Sequence, residues 1–327
     1  MAVVLVTGGA GYIGSHACKA LGEAGHQPVC FDNLSTGWRE AVRFGPLIEG
    51  DLLDREAVAA AIREVRPAAV MHFAALSLVA DSVRDPALYW RANLVGAMNL
   101  LDAMRAADVG ALVFSSTAAT YGEPDSDFIT ESAPQRPTNP YGATKLAIER
   151  MIRDHAAAYG LRAGVFRYFN VAGADPSGEI GELHRPETHL IPIVLEAAAG
   201  LRPCIRVNGV DYPTADGACV RDYLHVCDIA SAHVLGMERL LTGGDGFSLN
   251  LGVGRGYSVL EVIETVQCVV GREIRTEIGP RRAGDPARLV CDPKAAGAAL
   301  GWVPRHSDLE TMISDAWRWT MSPRFGV

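Results

Sequence analysis

The run Val4-Leu5-Val6-Thr7-Gly8-Gly9-Ala10-Gly11-Tyr12-Ile13-Gly14 passes from a β-branched apolar stretch through a glycine turn into a helix-like segment. Gly8, Gly11 and Gly14 stand at Gly-x-x-Gly-x-x-Gly spacing. A strand, a tight turn and a helix open a βαβ unit, and such units assemble into parallel sheets. Backbone that comes close to a pyrophosphate has no room for side chains, and the amides at the start of the following helix, at Tyr12 and Ile13, attract its charge. Glycines collect in any tight turn, so the pattern takes its weight from its place directly after the first strand.

The first half of the chain keeps that rhythm. Val3 to Val6, Pro28 to Phe31, Ala68 to Phe73, Ala111 to Ser115 and Ala163 to Phe169 read as buried strands. Ile13 to Ala24, Asp54 to Val65, Pro86 to Ala107 and Pro140 to Tyr159 read as helices. The expected fold class is α/β, a doubly wound parallel Rossmann sheet covered on both faces and joined to a smaller mixed α/β unit. After Asn170 the alternation loosens into a stretch rich in Gly, Pro and His, from Gly173 to Pro192. The expected division is a dinucleotide-binding domain over 1–170 and a C-terminal substrate domain over 171–327, with the chain crossing between them more than once.

Composition removes several classes of function. With 49% apolar and 21% charged residues the chain is an ordinary globular one. Its 30 basic and 38 acidic residues give a net charge of −8, which leaves no broad basic face for nucleic acid. A small anion held by a few local groups is compatible with that balance. The seven cysteines (18, 30, 204, 219, 227, 268 and 291) never form a Cys-x-x-Cys pair, so neither a disulfide framework nor a zinc ribbon is expected, and a cytoplasmic location fits. No basic stretch precedes the first apolar run, and no apolar run approaches the roughly 18 residues of a membrane span. Neither secretion nor membrane insertion is expected.

Asp32-Asn33 ends the second strand, 24 residues beyond Gly8. A carboxylate there can accept both ribose hydroxyls and would repel a 2′-phosphate, which points to NAD rather than NADP. A capping or turn aspartate is the plainer alternative. Asp51 and Leu52 after the third strand, and Phe73, Ala74 and Ala75 after the fourth, would flank the adenine and the diphosphate.

Asn139-Pro140-Tyr141-Gly142-Ala143-Thr144-Lys145 opens a helix with a capping residue and a proline at its first position. Tyr141 and Lys145 are thus one turn apart on a single face. An ammonium beside a phenol favours phenolate, as does the positive end of the helix, so the expectation is a tyrosine pKa lowered from about 10 toward the working pH. Only three of the 30 basic residues are lysines, Lys19, Lys145 and Lys294, so a merely solvated cation here would be expected as arginine. Ser115-Ser116-Thr117 closes the fifth strand, at the carboxyl edge where open parallel sheets bind ligands. A hydroxyl there can share a hydrogen bond with the tyrosine and a substrate hydroxyl, which makes Thr117, Tyr141 and Lys145 a candidate catalytic triad.

Together with Arg167-Tyr168-Phe169-Asn170, Asp211-Tyr212-Pro213-Thr214, Val220-Arg221-Asp222-Tyr223-Leu224-His225-Val226 and Arg281-Arg282-Ala283-Gly284-Asp285, these motifs resemble the UDP-glucose 4-epimerase branch of the extended short-chain dehydrogenase/reductase family over nearly the full length. The resemblance implies interconversion of UDP-glucose and UDP-galactose through a transient 4-keto sugar and NADH, with Tyr141 as base. It implies that Gly8, Gly11, Gly14, Asp32, Asn33, Asp51, Leu52, Phe73, Ala74, Asn93 and Tyr168 line NAD, with Tyr12, Ile13, Ala75, Ser115, Tyr141 and Lys145 beside them. It also implies that Thr117, Asn170, His189, Leu190, Arg221, Tyr223, Arg282, Asp285 and Leu289 face the UDP-sugar. Arg221 and Arg282 suit a diphosphate clamp because guanidinium forks pair bidentately with phosphate; pairing with Asp222 or Asp285 is the structural alternative.

Three positions depart from the pattern of the best-known bacterial members. Thr117 stands for a serine, which keeps the hydroxyl; Ser77 is short where a larger basic or polar residue is usual, which puts one cofactor contact in doubt; and His189 stands where asparagine is frequent. Leu289 falls where a bulky aromatic excludes N-acetylated hexosamines, so some activity on UDP-N-acetylglucosamine is expected. The segment Pro186 to Pro192 also resembles members acting on UDP-xylose and UDP-arabinose. Sugar 4,6-dehydratases and decarboxylases need a carboxylate pair or a glutamate directly after the strand-end hydroxyl, and here Ala118-Ala119-Thr120 follows. A non-catalytic dinucleotide sensor would need only the glycine turn and Asp32.

Glu182, His184, Glu187 and His189 invite a metal reading, but Pro186 breaks any helix that could align them. A substrate-covering loop is expected there, and no metal. The family resemblance further implies a homodimer through helices near Pro86 to Ala107 and Pro140 to Tyr159, where Ala97, Ala103, Ala106 and Ala107 would permit close packing; the same small residues would equally suit an intramolecular core.

Overall fold

The computed structural model describes residues 1–282 and 285–326, so Ala283 and Gly284 of the arginine-rich motif, and Val327, lie outside the described residues. The elements run β1 (Val3–Thr7), α1 (Tyr12–Glu23), β2 (Gln27–Asp32), β3 (Leu47–Glu49), α2 (Arg55–Val65), β4 (Ala69–His72), α3 (Val79–Arg84), α4 (Pro86–Tyr89), α5 (Gly96–Ala106), β5 (Ala111–Thr117), α6 (Pro140–Tyr159) and β6 (Arg162–Tyr168). They continue with β7 (Asn170–Ala172), α7 (Leu190–Ala198), β8 (Ile205–Asn208), β9 (Val220–His225), α8 (Val226–Leu241), β10 (Phe247–Leu251), β11 (Gly256–Ser258), α9 (Val259–Val270), β12 (Thr276–Gly279), β13 (Arg288–Leu289), α10 (Lys294–Leu300) and α11 (Leu309–Met321).

Seven parallel strands form the main sheet in the order β10-β6-β5-β4-β1-β2-β3. Strands buried on both faces read as continuous apolar runs, which is why the middles of β1, β4 and β5 are unbroken Val, Leu, Met and Phe, with polar residues only toward their carboxyl ends. One face packs Val4, Val6 and Met71 against Leu21, Ile229 and Met237 from α1 and α8. The other packs Leu5, Val70 and Leu112 against Ile62, Leu100 and Ile148 from α2, α5 and α6. The strand order reverses between β1 and β4, and the crevice at such a switch point is where open sheets take ligands.

Helix boundaries follow from local chemistry. The Asn139 side chain accepts the Gly142 amide at 2.9 Å, Pro140 occupies the first turn of α6, and Gly160 ends it with φ 71°. The helix expected from Pro86 to Ala107 is instead broken, with a π-helical turn over Trp90–Val95 between α4 and α5. Asn93 sits in that widened turn, donates to the Leu76 carbonyl at 3.0 Å and to the Thr144 hydroxyl at 3.2 Å, and accepts the Leu76 amide at 2.8 Å. It ties the loop after β4 to α6.

The second unit is built around β9. Its first half lies between antiparallel β11 and parallel β13, and its second half pairs with β7; β8 and β12 form a separate parallel pair. Val194, Leu195, Val262, Val266, Met312 and Ile313 from α7, α9 and α11 make its core. Between the two units the chain returns: α8 packs on the main sheet and β10 pairs with β6, Phe247 opposite Gly164.

Candidate active site

A cleft of about 740 Å³ runs from the glycine turn, across the ends of β4 and β5, to β9 and β13. At one end, the Phe73 and Ala74 amides donate to the Thr7 carbonyl at 2.9 and 3.0 Å, which presses β4 against the turn. Gly8 has φ +76°, and a Cβ there would lie 2.5 Å from the Ala74 nitrogen. Gly14 likewise has no space for a side chain, because a Cβ would strike the Gly8 carbonyl. Gly11 differs: its Cβ would meet only the Gly8 oxygen at 3.3 Å, and it faces the cleft. Gly8 and Gly14 are therefore required by the packing of the turn itself, and Gly11 leaves room for a ligand. Gly11 caps α1 with no side-chain bond, so the first amides of the helix are left for an anion.

Asp32 ends β2 with 9% exposure and accepts the Ala10 amide at 3.0 Å and the Leu34 amide at 2.8 Å. Burial nevertheless raises its pKa. Beside it Asn33 donates to Asp51 at 3.0 Å, and Asp51 also accepts the Leu53 amide at 2.8 Å. An anion-accepting helix start, an opening at Gly11 and a carboxylate at the second strand end fit a dinucleotide with free ribose hydroxyls.

At the centre, Ser115, Thr117, Tyr141 and Lys145 converge from β5 and α6. Lys145 is 2% exposed, donates to the Ser115 carbonyl at 2.9 Å and lies 4.9 Å from the centre of the Phe114 ring. Burial draws its pKa down to about 7, against a rise from Glu149. Thr117 accepts the Ala119 amide at 3.1 Å as cap of a short 3-10 turn, which leaves its O–H to donate to Tyr141. The tyrosine does not behave as expected: burial pushes its phenol up to about 12, and the Thr117 hydrogen bond offsets only part of that. The expected lowering by Lys145 fails because desolvation dominates and the ammonium is directed at Ser115. Tyr168 reaches Ser115 by hydroxyl contact, and burial raises its phenol too.

At the far end, Arg221 is 9% exposed, donates to the Val220 carbonyl at 2.8 Å and pairs with Asp285. Asp222 is not its partner; it accepts the amides of Val253 and Gly254 at 3.0 Å and of Cys291 at 3.1 Å, and burial raises it to about 6. Asn170, His189, Leu190, Tyr223, Arg282 and Leu289 line the same end.

The family model for NAD dependent epimerases and dehydratases matches residues 4–252. The chain belongs to that family. It is 53% identical over 318 residues to a UDP-glucose 4-epimerase of Corynebacterium glutamicum, covering 97% of this chain and 95% of the relative. Among solved structures it is similar to UDP-glucose 4-epimerase from Brucella ovis in complex with NAD, with TM-score 0.95 and 48% identity over 97% of this chain and 98% of that one. It is also similar to UDP-glucose-4-epimerase from Stenotrophomonas maltophila with bound NAD and formylated UDP-arabinopyranose, with TM-score 0.95 and 43% identity over 98% of each chain.

Against this family background, Gly8, Gly11, Tyr12, Ile13, Gly14, Phe73, Ala75, Ser77, Ser115, Thr117, Tyr141, Lys145 and Tyr168 all line the cleft. Asp32, Asn33, Asp51, Leu52, Ala74 and Asn93 are not part of that lining. Leu52 belongs to the core between α2 and α5, and the Asn93 amide is engaged by Leu76 and Thr144.

Sequence reading passed over Thr36 and strand β8, whose Arg206 and Asn208 also line the cleft. The signal for β8 was present as alternation, Ile205 and Val207 buried with Arg206 exposed between them. The segment around Pro186 is a loop beside the cleft, as expected, but its side chains are arranged differently from the expectation. Glu182, His184, Glu187 and His189 do converge, with ligand atoms within 4.8 Å of one another, because a loop gathers them where a helix could not.

Proposed function

We propose that the chain is an NAD-dependent nucleotide-sugar 4-epimerase that interconverts UDP-glucose and UDP-galactose through a transient 4-keto sugar. The observation that carries this reading is the meeting of Thr117, Tyr141 and Lys145 midway along one cleft, between the glycine turn and Arg221. NAD, when bound, supplies a cationic nicotinamide ring that takes hydride from C4 and returns it to either face.

Tyr141 removes the proton of the 4-hydroxyl and returns it at the end of the cycle. In the cofactor-free chain its phenol is held up by burial, so positive charge brought into the cleft favours phenolate. Thr117 donates to the tyrosine oxygen, and Lys145 holds its ammonium beside Ser115 in a pocket that excludes water. Arg221, oriented by Asp285, and Arg282 anchor the diphosphate away from the reacting carbon, so the sugar can turn while its link to the protein stays fixed. Asn170, His189, Leu190 and Tyr223 enclose the UDP portion. Asp32 accepts the ribose hydroxyls, and residues 1–170 chiefly hold NAD while 171–327 chiefly hold the UDP-sugar.

The strand-end hydroxyl is followed by Ala118 and Ala119 in a tight turn, with no carboxylate to eliminate water. That favours epimerisation over dehydration. Leu289 is half-buried against the cluster of Ala118, Tyr121 and Ile129 and faces the cleft, which supports acceptance of the larger UDP-N-acetylglucosamine. The relative that holds formylated UDP-arabinopyranose keeps pentoses in view.

Competition among UDP-glucose, UDP-xylose and UDP-N-acetylglucosamine for the purified enzyme orders these substrates. Protein that retains NAD yet interconverts no UDP-hexose or UDP-pentose would be a dinucleotide sensor and would end the catalytic reading. Absence of UDP-N-acetylglucosamine turnover in wild type, with none gained in Leu289→Ala, would remove the hexosamine extension.

We further propose a homodimer. Val79, Val83, Leu88, Trp90, Val95 and Met98 are large apolar residues left exposed along α3 to α5. The small residues expected at the contact do not all serve it: Ala97 and Ala103 are buried in this chain's own core, because they face α2 and the sheet. Trp90→Glu with Met98→Glu should convert a dimer to monomers in sedimentation, and an unchanged sedimentation coefficient would refute this face. The seven free thiols fit a reducing cytoplasm.

A further inference from the structure

The loop from Glu182 to His189 carries a cluster that takes no part in the proton transfer at Tyr141. Nδ1 of His189 lies 2.9 Å from Oε1 of Glu182 and 3.1 Å from Oε1 of Glu187. Nδ1 of His184 lies 3.2 Å from the same Glu182 oxygen and 3.6 Å from Oε2 of Glu187. Both imidazoles thus turn the same nitrogen toward the same two carboxylates. In a tetrahedral zinc site, bonds of about 2.0 to 2.1 Å place ligand atoms about 3.3 Å apart along each edge. Three of these separations, 2.9, 3.2 and 3.6 Å, use one oxygen from each carboxylate, Oε1 of Glu182 and Oε2 of Glu187, and they straddle that length.

Hydrogen bonding does not account for the whole arrangement. Nδ1 of His184 is buried and makes no hydrogen bond, although it faces both carboxylates. The backbone around the cluster is held from outside. The Trp319 indole donates to the Glu182 carbonyl at 2.8 Å, the Trp38 indole to the Leu183 carbonyl at 2.9 Å, and Arg202 to the Glu187 carbonyl at 3.3 Å. Oε1 of Glu187 accepts the amides of Thr188 at 2.7 Å and His189 at 2.9 Å, which leaves Oε2 for another partner. Outer hydrogen bonds of this kind orient metal ligands.

We propose that Glu182, His184, Glu187 and His189 bind one divalent transition metal of the zinc class as a closed, structural site. Two carboxylates balance a divalent ion, and two neutral imidazoles complete a four-coordinate shell. Both imidazoles face the two carboxylates through Nδ1, the atom that would bind the ion once its proton is lost. The metal's effect is to lock the loop over the cleft, which Glu182, His184 and His189 line. The site is independent of the proton transfer at Tyr141, so its failure would leave the epimerase reading intact.

Full-length protein treated with a chelator and then titrated with Co²⁺ should take up one equivalent per chain, with the intense visible absorption of a tetrahedral site, and Zn²⁺ should abolish that band. His184→Gln and Glu187→Gln should each weaken Co²⁺ binding by about tenfold or more, and His155→Gln on α6 should leave it unchanged. Retained NAD in the variants checks that they fold. Should they not fold, X-ray absorption of zinc-loaded wild type decides, with two imidazole nitrogens and two carboxylate oxygens at about 2.0 Å expected. No saturable band at one equivalent, a band that survives both substitutions, or a shell without imidazole would overturn the proposal.

Discussion

The two walls of the cleft are built on opposite plans. On the sheet wall, Ser115, Thr117, Tyr141 and Lys145 come from two consecutive elements, β5 and α6, and bond mostly to backbone or to one another. On the facing wall, Arg221, Asp285 and His189 arrive from separate segments and are positioned by charge pairs. A buried, backbone-tied group has one arrangement and suits chemistry that needs fixed distances. A wall of paired charges holds its ligand by exchanging partners, so it governs which molecule stays and for how long.

If this contrast is right, damage to the sheet wall removes turnover and damage to the facing wall removes affinity. Tyr141→Phe should keep NAD and lose about 10² to 10⁴ in kcat, the usual contribution of a general base; near-normal turnover in a steady-state assay would break the contrast at once. Lys145→Arg should follow with a loss on the order of 10² in kcat, because a planar fork does not fit where the compact ammonium meets the Ser115 carbonyl. Equal rates for lysine and arginine would reduce the site to a simple positive charge. Arg221→Met should raise KM for the nucleotide sugar by roughly tenfold to a hundredfold with a smaller change in kcat, as expected for loss of a charged hydrogen bond. A fall in kcat alone would place Arg221 with the chemistry.

The smallest effect concerns stability. Lys145 has a folded pKa drawn down to about 7 from an ordinary 10.5. Its neutral form is favoured by the fold, so between about pH 7 and pH 10 the unfolded chain binds the extra proton and stability of NAD-free protein should rise with pH. That contribution is complete above the unfolded value and is lost as pH falls through the folded one. Lys145→Met should flatten this part of the curve in denaturant titrations, and an unchanged slope would mean the lysine is better solvated than its surroundings imply.

The contrast also explains what could be read from residues alone. The glycine turn, the capped start of α6 and the Tyr141/Lys145 pair are local in sequence, and one turn of helix fixes their spacing. Lysine scarcity pointed correctly to burial at Lys145 and was silent on the others. Lys19 joins α1 to Asp175 at 2.8 Å and Glu179 at 2.9 Å, whereas Lys294 is 88% exposed beside Asp292. The tyrosine pKa was misread because desolvation depends on everything packed around a group and leaves no mark on its neighbours in sequence. The convergence of Glu182, His184, Glu187 and His189 escaped for a different reason, since a loop held by two distant tryptophans can converge its side chains without periodicity.

The pairing of β10 with β6 has a consequence for how the molecule can move and be divided. The chain passes between its two units after β6, after β9, after β10, after β13 and again after α10. Bodies joined by five covalent crossings share no single hinge, and a fragment ending near residue 170 would leave the β6 edge bare and prone to pairing with other chains. Any change in the aperture of the cleft must therefore move all of these crossings together, and a sugar that presents both faces turns between walls that the chain stitches repeatedly.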